Sequence, residues 1–318
     1  MALPQVMSRT GVQPQRKVKL GRQARREEVM FYLFILPWLL GLIFFDAGPI
    51  VASFVVGLTD WSMLADPNWI GAANYERMLD DETFFKALRN SIYYGFGSVS
   101  LGLIVAFLLA LLLNQPVRGI ALFRTIFYLP ALVSGIAVAI LWTNILQPEY
   151  GLLNTALAKI GIEGPGWLKS PEWAMPGLIL MSIWGVGGSV VIFLAGLQGV
   201  PTHLYEAASL DGAGSWSKFW NVTVPMMSPV IFYNVIVGVI VSLQSFVLIL
   251  IMTQGAGTSA GGPENSTLVI GLYIYKTAFQ YFDFGYAAAL SWALFVFIMI
   301  ITLIQFVLAR RWVFYDSK

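Results

Sequence analysis

The chain has 318 residues, 58% of them hydrophobic and 11% charged, whereas a soluble domain is roughly 45–50% apolar and about 25% charged, so an all-α membrane protein is expected. A net charge of +2 is too balanced for a nucleic-acid binder. With no cysteine, disulfides and thiol chemistry are excluded, and a single histidine, His203, leaves no imidazole cluster and no obvious catalytic triad, so no catalytic or metal-binding residue is assigned.

A hydrocarbon core of about 30 Å takes about 20 apolar residues. Six runs qualify: 31–57, 92–114, 120–146, 174–199, 229–253 and 284–309. Of the 36 charged residues only Asp46 falls well inside a run, as the cost of stranding a charge in lipid requires. Thirteen of the nineteen Lys and Arg residues lie on the side of the N-terminus: Arg9, Arg16, Lys17, Lys19, Arg22, Arg25, Arg26, Arg118, Arg124, Lys218, Arg310, Arg311 and Lys318. Basic residues are retained inside, so both termini are expected in the cytoplasm. The chain then divides into a basic tail, 1–30, a six-helix transmembrane domain, 31–309, and a short tail, 310–318. The first run is longer than a cleavable signal core and lacks a small-x-small site, so it reads as a retained anchor.

Taken in order, the first span carries Asp46, about 22 Å from its inner end at 1.5 Å per residue, followed directly by Gly48 and Pro49. An intramembrane carboxylate defaults to a functional hypothesis, here contact with solute hydroxyls, against simple access to interfacial water. The stretch 69–89 has apolar residues three and four apart and predicts short amphipathic helices on the outer surface. Pro130 and Gly135 interrupt the third span and Gly185, Gly187 and Gly188 the fourth. Such breaks serve a cavity or moving part, or ordinary close packing. In the fifth span Asn234, Gly238, Ser242 and Ser245 fall within an arc of about 80°, a polar and small stripe, with Gln244 off it. A Gly-, Ser- and Thr-rich stretch, 255–263, predicts a flexible outer loop.

Between the fourth and fifth spans lies the longest cytoplasmic connection, 201–229. Pro201 and Thr202 suit a helix start and Gly212 a C-terminal cap, so a helix over 202–211 and a second short one from Ser215 are expected. Within it run Glu206-Ala207-Ala208, three residues of which the last is Asp211, Gly212, nine residues, then Val222-Thr223-Val224-Pro225. This pattern resembles the EAA loop of the membrane subunits of binding-protein-dependent ABC importers. Val222 and Val224 stand where Ile and Leu are commoner. The surroundings are similar to the carbohydrate-uptake branch: Phe123-Arg-Thr-Ile-Phe-Tyr-Leu-Pro130, Trp142, Tyr150-Gly-Leu-Leu-Asn154, Ala195-Gly-Leu-Gln198, and Tyr275 through Ala288.

The resemblance spans about 31–315, with the family core over about 87–308. It implies a type I importer permease fold in a bacterial or archaeal cytoplasmic membrane, surrounded by lipid. It implies a second, homologous permease, two ATP-binding subunits and an extracytoplasmic sugar-binding protein as partners. Glu206, Ala207, Ala208, Asp211, Gly212 and Pro225 become the ATPase-coupling residues, Glu206 facing basic residues of the ATPase and Gly212 permitting the turn. ATP and Mg belong to the partner subunits, and no cofactor is expected in this chain. The nearest approach to a phosphate loop, Gly212-Ala-Gly-Ser-Trp-Ser-Lys218, has Ser217 and Phe219 where Gly and a hydroxyl are required.

For the solute path the candidates are Asp46, Trp142, Asn234, Ser242, Gln244 and Ser245. Trp184 and Tyr233 are further aromatic faces for a sugar ring. Val247 stands where many relatives carry Asp, which separates this chain from any particular substrate preference. The alternative, an ion-coupled secondary transporter, would show several intramembrane acids or bases; Asp46 stands alone.

Overall fold

A computed structural model describes residues 22–314; Arg9, Arg16, Lys17, Lys19 and Lys318 of the basic tails lie outside the described residues. The chain divides into two units, Met1–Ser53 and Phe54–Lys318. Among the described residues the regular elements are all helical, apart from one isolated bridge between Thr59 and Trp69.

The first unit holds α1 (Arg22–Gly41), a π turn over Leu42–Ala47, and the start of α2 (Gly48–Val56). The π turn follows from Pro49: proline has no N–H and its ring crowds the carbonyl four residues back. A wider turn, with the Gly48 N–H donating to Ile43 O, relieves that crowding.

The second unit continues with α3 (Ala73–Leu79), α4 (Glu82–Leu113), α5 (Ile120–Tyr128), a 3₁₀ turn over Leu129–Leu132 and α6 (Gly135–Ile145). Next come α7 (Leu152–Lys159), α8 (Pro171–Trp184), α9 (Gly187–Gln198), α10 (Thr202–Leu210) and α11 (Ser215–Lys218). A π turn over Phe219–Thr223 leads into α12 (Val224–Leu243), followed by α13 (Val247–Gly255), α14 (Ile270–Phe279) and α15 (Phe284–Ala309). Four helical stretches are long and apolar enough to cross a membrane: Arg22–Val56, Glu82–Leu113, Ser215–Leu243 and Phe284–Ala309. Two bent pairs raise the number to as many as six.

Several expected boundaries move. The second run starts ten residues early, because the amphipathic stretch after Asp81 is continuous with α4; Asp81 caps that helix by accepting from the Thr83 N–H at 2.8 Å. The third run is bent by 97° between Leu132 and Gly135, and the fourth by 49° between Trp184 and Gly187. The fifth run does not continue to residue 253. α12 stops at Leu243, where Ser242 Oγ donates to Val239 O in competition with the helical ladder, and α13 begins after Phe246, whose φ of −145° leaves the helical region. The stretch 255–263 is held rather than loose. Lys276 Nζ donates to Ala260 O, and just beyond it Lys86 Nζ donates to Glu264 O and Asn90 Nδ2 to Asn265 O and Leu268 O.

α4 is the central post, packed against α8, α9, α12 and α14. Two separate apolar cores lie along it. One gathers Tyr94, Met181, Leu243, Ile249, Leu272, Tyr286 and Leu290. The other gathers Ala106, Ala110, Leu113, Phe193, Leu197 and Met227. At its far end α4 is capped by the α5 residue Arg124, whose guanidinium donates to Leu113 O at 3.0 Å, a favourable place for a cation.

At the opposite end of α4, Asp81 ties three helices. Its Oδ2 accepts from the hydroxyls of Tyr273 at 2.5 Å and Tyr286 at 2.6 Å. Arg77 bonds Asp283 at 2.7 Å and lies over the Tyr286 ring. Partial burial raises the Asp81 carboxyl, but the Tyr273 and Tyr286 hydroxyls and the N–H groups of Phe84 and Thr83 pull it the other way, to a net value below the ordinary 3.8. A carboxyl lowered by folding stabilises fully above its unfolded value, and that contribution disappears as the pH falls through the folded one. Tyr273→Phe is expected to cost about 1–2 kcal/mol at neutral pH and to flatten the acid limb of stability below pH 3.8, read by thermal unfolding in detergent.

Candidate functional site

Between the two apolar cores lies a cavity of about 570 Å³. All three helix breaks of the second unit open onto it: Pro130 to Gly135, Trp184 to Gly188, and Ser242 to Ser245. A broken helix leaves backbone N–H and C=O groups without intrahelical partners, and at membrane depth these are tolerated where they line a protected cavity. The remaining wall comes from α4, through Tyr94, Ser98, Val99, Gly102 and Leu103, and from α12.

The polar stripe of the fifth span faces this space. Asn234, Gly238, Ser242 and Ser245 all line it, as do Tyr233 and Trp184. No Asp, Glu, Lys, Arg or His is among the lining residues. The polar side chains already use donors on their own helices: Asn234 Nδ2 to Val230 O at 2.9 Å, Ser182 Oγ to Ile179 O at 2.7 Å, Ser98 Oγ to Tyr94 O at 2.6 Å. These three leave oxygen lone pairs for the wall, and Tyr233, Ser189 and the Trp184 indole add donors, so a hydroxyl-bearing solute finds both.

Other candidates stand apart. Trp142 is behind the wall, its ring 6.1 Å from that of Trp184 in an edge contact, and its Nε1 is enclosed without a hydrogen-bond partner. Gln244 is exposed at the end of α12 and is not part of the lining. Asp46 belongs to the π turn of the first unit, whereas the cavity is built wholly from the second. Ser98, Ser182 and Ser189 also line it, and the sequence marks them only weakly: each sits among glycines, where a lone serine reads as helix packing.

The connection after α9 forms a separate surface feature. α10 ends in a paired-bond cap: Ala213 N–H donates to Ala208 O at 2.9 Å and Gly212 N–H to Ser209 O at 3.1 Å, with Gly212 at φ +78, a conformation glycine adopts without steric cost. Tyr205 and Thr223 hydroxyls bond at 3.0 Å and Lys218 Nζ reaches Ser209 Oγ at 2.7 Å, so the helix is held to the base of α12. Glu206, Ala207 and Asp211 are exposed, Ala208 is partly buried, and Leu210 is 90% exposed. Pro225 sits in the first turn of α12, directly after the π turn in which Val224 N–H donates to Phe219 O. The small, acid-bearing face of α10 is therefore free to enter a groove on another protein.

Two adjacent glycines separate packing from space. A Cβ on Gly187 would stand 2.7 Å from Phe127 O and 3.1 Å from Tyr128 Cα, whereas one on Gly188 meets nothing within 4 Å. Gly187→Ala is expected to lower stability by about 1–3 kcal/mol, and Gly188→Ala to leave it within about 0.5 kcal/mol, both read by thermal unfolding in detergent.

Similar proteins place the geometry in a family. The chain is 37% identical over 304 residues to the probable ABC transporter permease protein YesP of Bacillus subtilis, covering 95% of this chain and 97% of that one. It is 35% identical to the lactose transport system permease protein LacF of Rhizobium radiobacter, over 90% and 96% of the two chains. A crystal structure of a bacterial alginate ABC transporter, in complex with an alginate pentasaccharide-bound periplasmic protein, contains a chain 25% identical with a TM-score of 0.78, over 91% and 96%. Residues 98–314 match the family model described as binding-protein-dependent transport system inner membrane component. This chain belongs to that family: it is a permease subunit of an ABC importer, a transport protein and not an enzyme.

Proposed function

We propose that this permease carries a sugar or related polyol through the cavity between its two cores. The observation that carries the reading is the uncharged wall, mainly apolar with Asn, Ser and Tyr side chains set into it, assembled at three helix breaks. An uncharged polyol exchanges its hydration for such oxygens without stranding a charge. The named cargoes of two similar proteins, lactose and alginate, are saccharides. Asn234, Ser242 and Ser245 contact solute directly in this reading. Trp142 acts from behind the wall, and Asp46 and Gln244 are the remaining candidates of this reading.

In the same reading, residues 31–309 form six spans with both termini in the cytoplasm of a bacterium or archaeon, flanked by the tails 1–30 and 310–318, and the family core extends over 87–308. A second homologous permease completes the pathway, and an extracytoplasmic sugar-binding protein delivers the cargo. Two ATP-binding subunits receive the loop 201–229, with Glu206, Ala207, Ala208 and Asp211 at the contact and Gly212 and Pro225 setting its shape. ATP and Mg bind to those subunits. The two cores then act as bodies that shift about the cavity, so that it opens alternately to either side.

Vesicles holding the assembled importer, its binding protein and internal ATP are to be tested with radiolabelled lactose, maltose and trehalose. Accumulation of at least one is expected; accumulation of none, with active ATPase, refutes the substrate class. Glu206→Lys places like charge against a basic site. It is expected to cut ATP-driven uptake at least tenfold while membrane insertion, read by quantitative immunoblot, stays normal. Gly188→Leu fills the open space beside the fourth-span break and is expected to abolish uptake with the complex still assembled.

A further inference from the structure

In an α-helix each carbonyl accepts from the N–H four residues on. Pro225 lies in the first turn of α12 and the residue four on is Pro229, which has no N–H and whose ring crowds that same carbonyl. The missing donor is replaced by a side chain: Ser228 Oγ donates to Pro225 O at 2.6 Å. A hydroxyl has one proton, so Ser228 then presents only lone pairs. One of them accepts the Phe314 N–H at 2.8 Å, and the serine is 3% exposed.

Phe314 belongs to the segment that follows the last span. After α15 the chain turns back: Trp312 N–H and Val313 N–H both donate to Ala309 O, at 3.1 and 2.8 Å. The Trp312 ring meets that of Phe232 on α12 at 5.9 Å, and Phe232 meets Phe306 of α15 at 5.4 Å. The segment 310–314 is thereby fixed to α12 by a ring and by a hydrogen bond. Close by, the Tyr205 and Thr223 hydroxyls tie α10 to the base of the same helix. One series of contacts therefore runs from α10 through the start of α12 and Ser228 to the end of α15.

We propose that Ser228 is a positioning residue and that residues 310–314 are a strap holding the start of α12, with α10 on it, to the last span. A push on α10 then turns α12 and α15 together, instead of flexing α12 at Pro229, where the helix has lost a backbone bond. The hydroxyl serves both needs at once, replacing the donor that proline lacks and offering an acceptor to the strap. This rests on the ATPase-coupling reading of α10 above.

The chain has no cysteine, so nitroxide labels on Ser215→Cys and Arg311→Cys, at two exposed positions, report the distance between the approach to α12 and the strap. It is read by double electron–electron resonance on the importer assembled in vesicles, with any partner cysteine replaced by serine. One narrow distance is expected with and without ATP. Ser228→Ala removes the acceptor and Phe314→Pro the donor. Each is expected to broaden the distribution, and the two together to broaden it no further, because they break the same bond. Phe314→Ala, which keeps the N–H, leaves it narrow. Accumulation of lactose, maltose or trehalose per ATP hydrolysed is expected to fall about fivefold in Ser228→Ala and Phe314→Pro, the factor a single hydrogen bond is worth, with normal membrane insertion by immunoblot. A narrow distribution in Ser228→Ala, or additive broadening in the double variant, overturns the strap. Broadening with a wild-type ratio of sugar to ATP overturns the positioning role. Wild-type uptake in Glu206→Lys refutes the coupling reading itself, whereas a Glu206→Lys deficit beside wild-type uptake in both strap variants overturns the strap's role alone. If wild type accumulates none of the three sugars, the widths alone decide the strap.

Discussion

Backbone amides that leave a helix inside a membrane must find other partners, since hydrocarbon offers none. Here three helical runs break at about the same level, around Ser134, Gly185 and Gln244, and the breaks converge on one cavity. Packing above and below that level is dense, with Ala106, Ala110, Ala139 and Ala289 fully buried. The cavity thus exists because helices that could have been continuous are not, and the two cores are separate for the same reason. The cavity therefore separates two bodies that are each well packed.

Proline and glycine achieve the breaks by different physics. Pro130 removes a donor and bends the third run through a 3₁₀ turn. The glycines of the fourth run let α9 approach α5 at Gly187 while leaving empty space at Gly188. Pro49 and Pro225 each follow a π turn and leave their helices unbroken. The same residue type therefore bends one element and only widens another, according to whether the neighbouring turn can absorb the missing hydrogen bond.

The connection that carries α10 and the cavity share α12. Its base carries the hydroxyl contact between Tyr205 and Thr223, and its second half carries Asn234, Gly238 and Ser242. A continuous helical stretch, Ser215–Leu243, about 43 Å long at 1.5 Å per residue, runs from one to the other. At the other end of the unit, Asp81 with its two tyrosines, and Arg77 with Asp283, fasten α3, α4, α14 and α15 together.

How much of this is legible in sequence depends on range. Local patterns suffice for the helical class, the apolar runs, the cap at Gly212 and the polar stripe of the fifth span, because each rests on residues within a turn or two of one another. The same reasoning extends the fifth run ten residues too far and treats 82–89 as a separate surface helix, since hydropathy averages over a short break and over a change from an amphipathic to an apolar stretch of one helix. What only the tertiary structure decides is which breaks meet. Nothing within the fourth run distinguishes Gly188, which faces empty space, from Gly187, which touches a backbone 60 residues earlier. Composition reveals that this chain is built for lipid; the folding of distant segments onto α4 determines where, inside it, the breaks enclose a cavity.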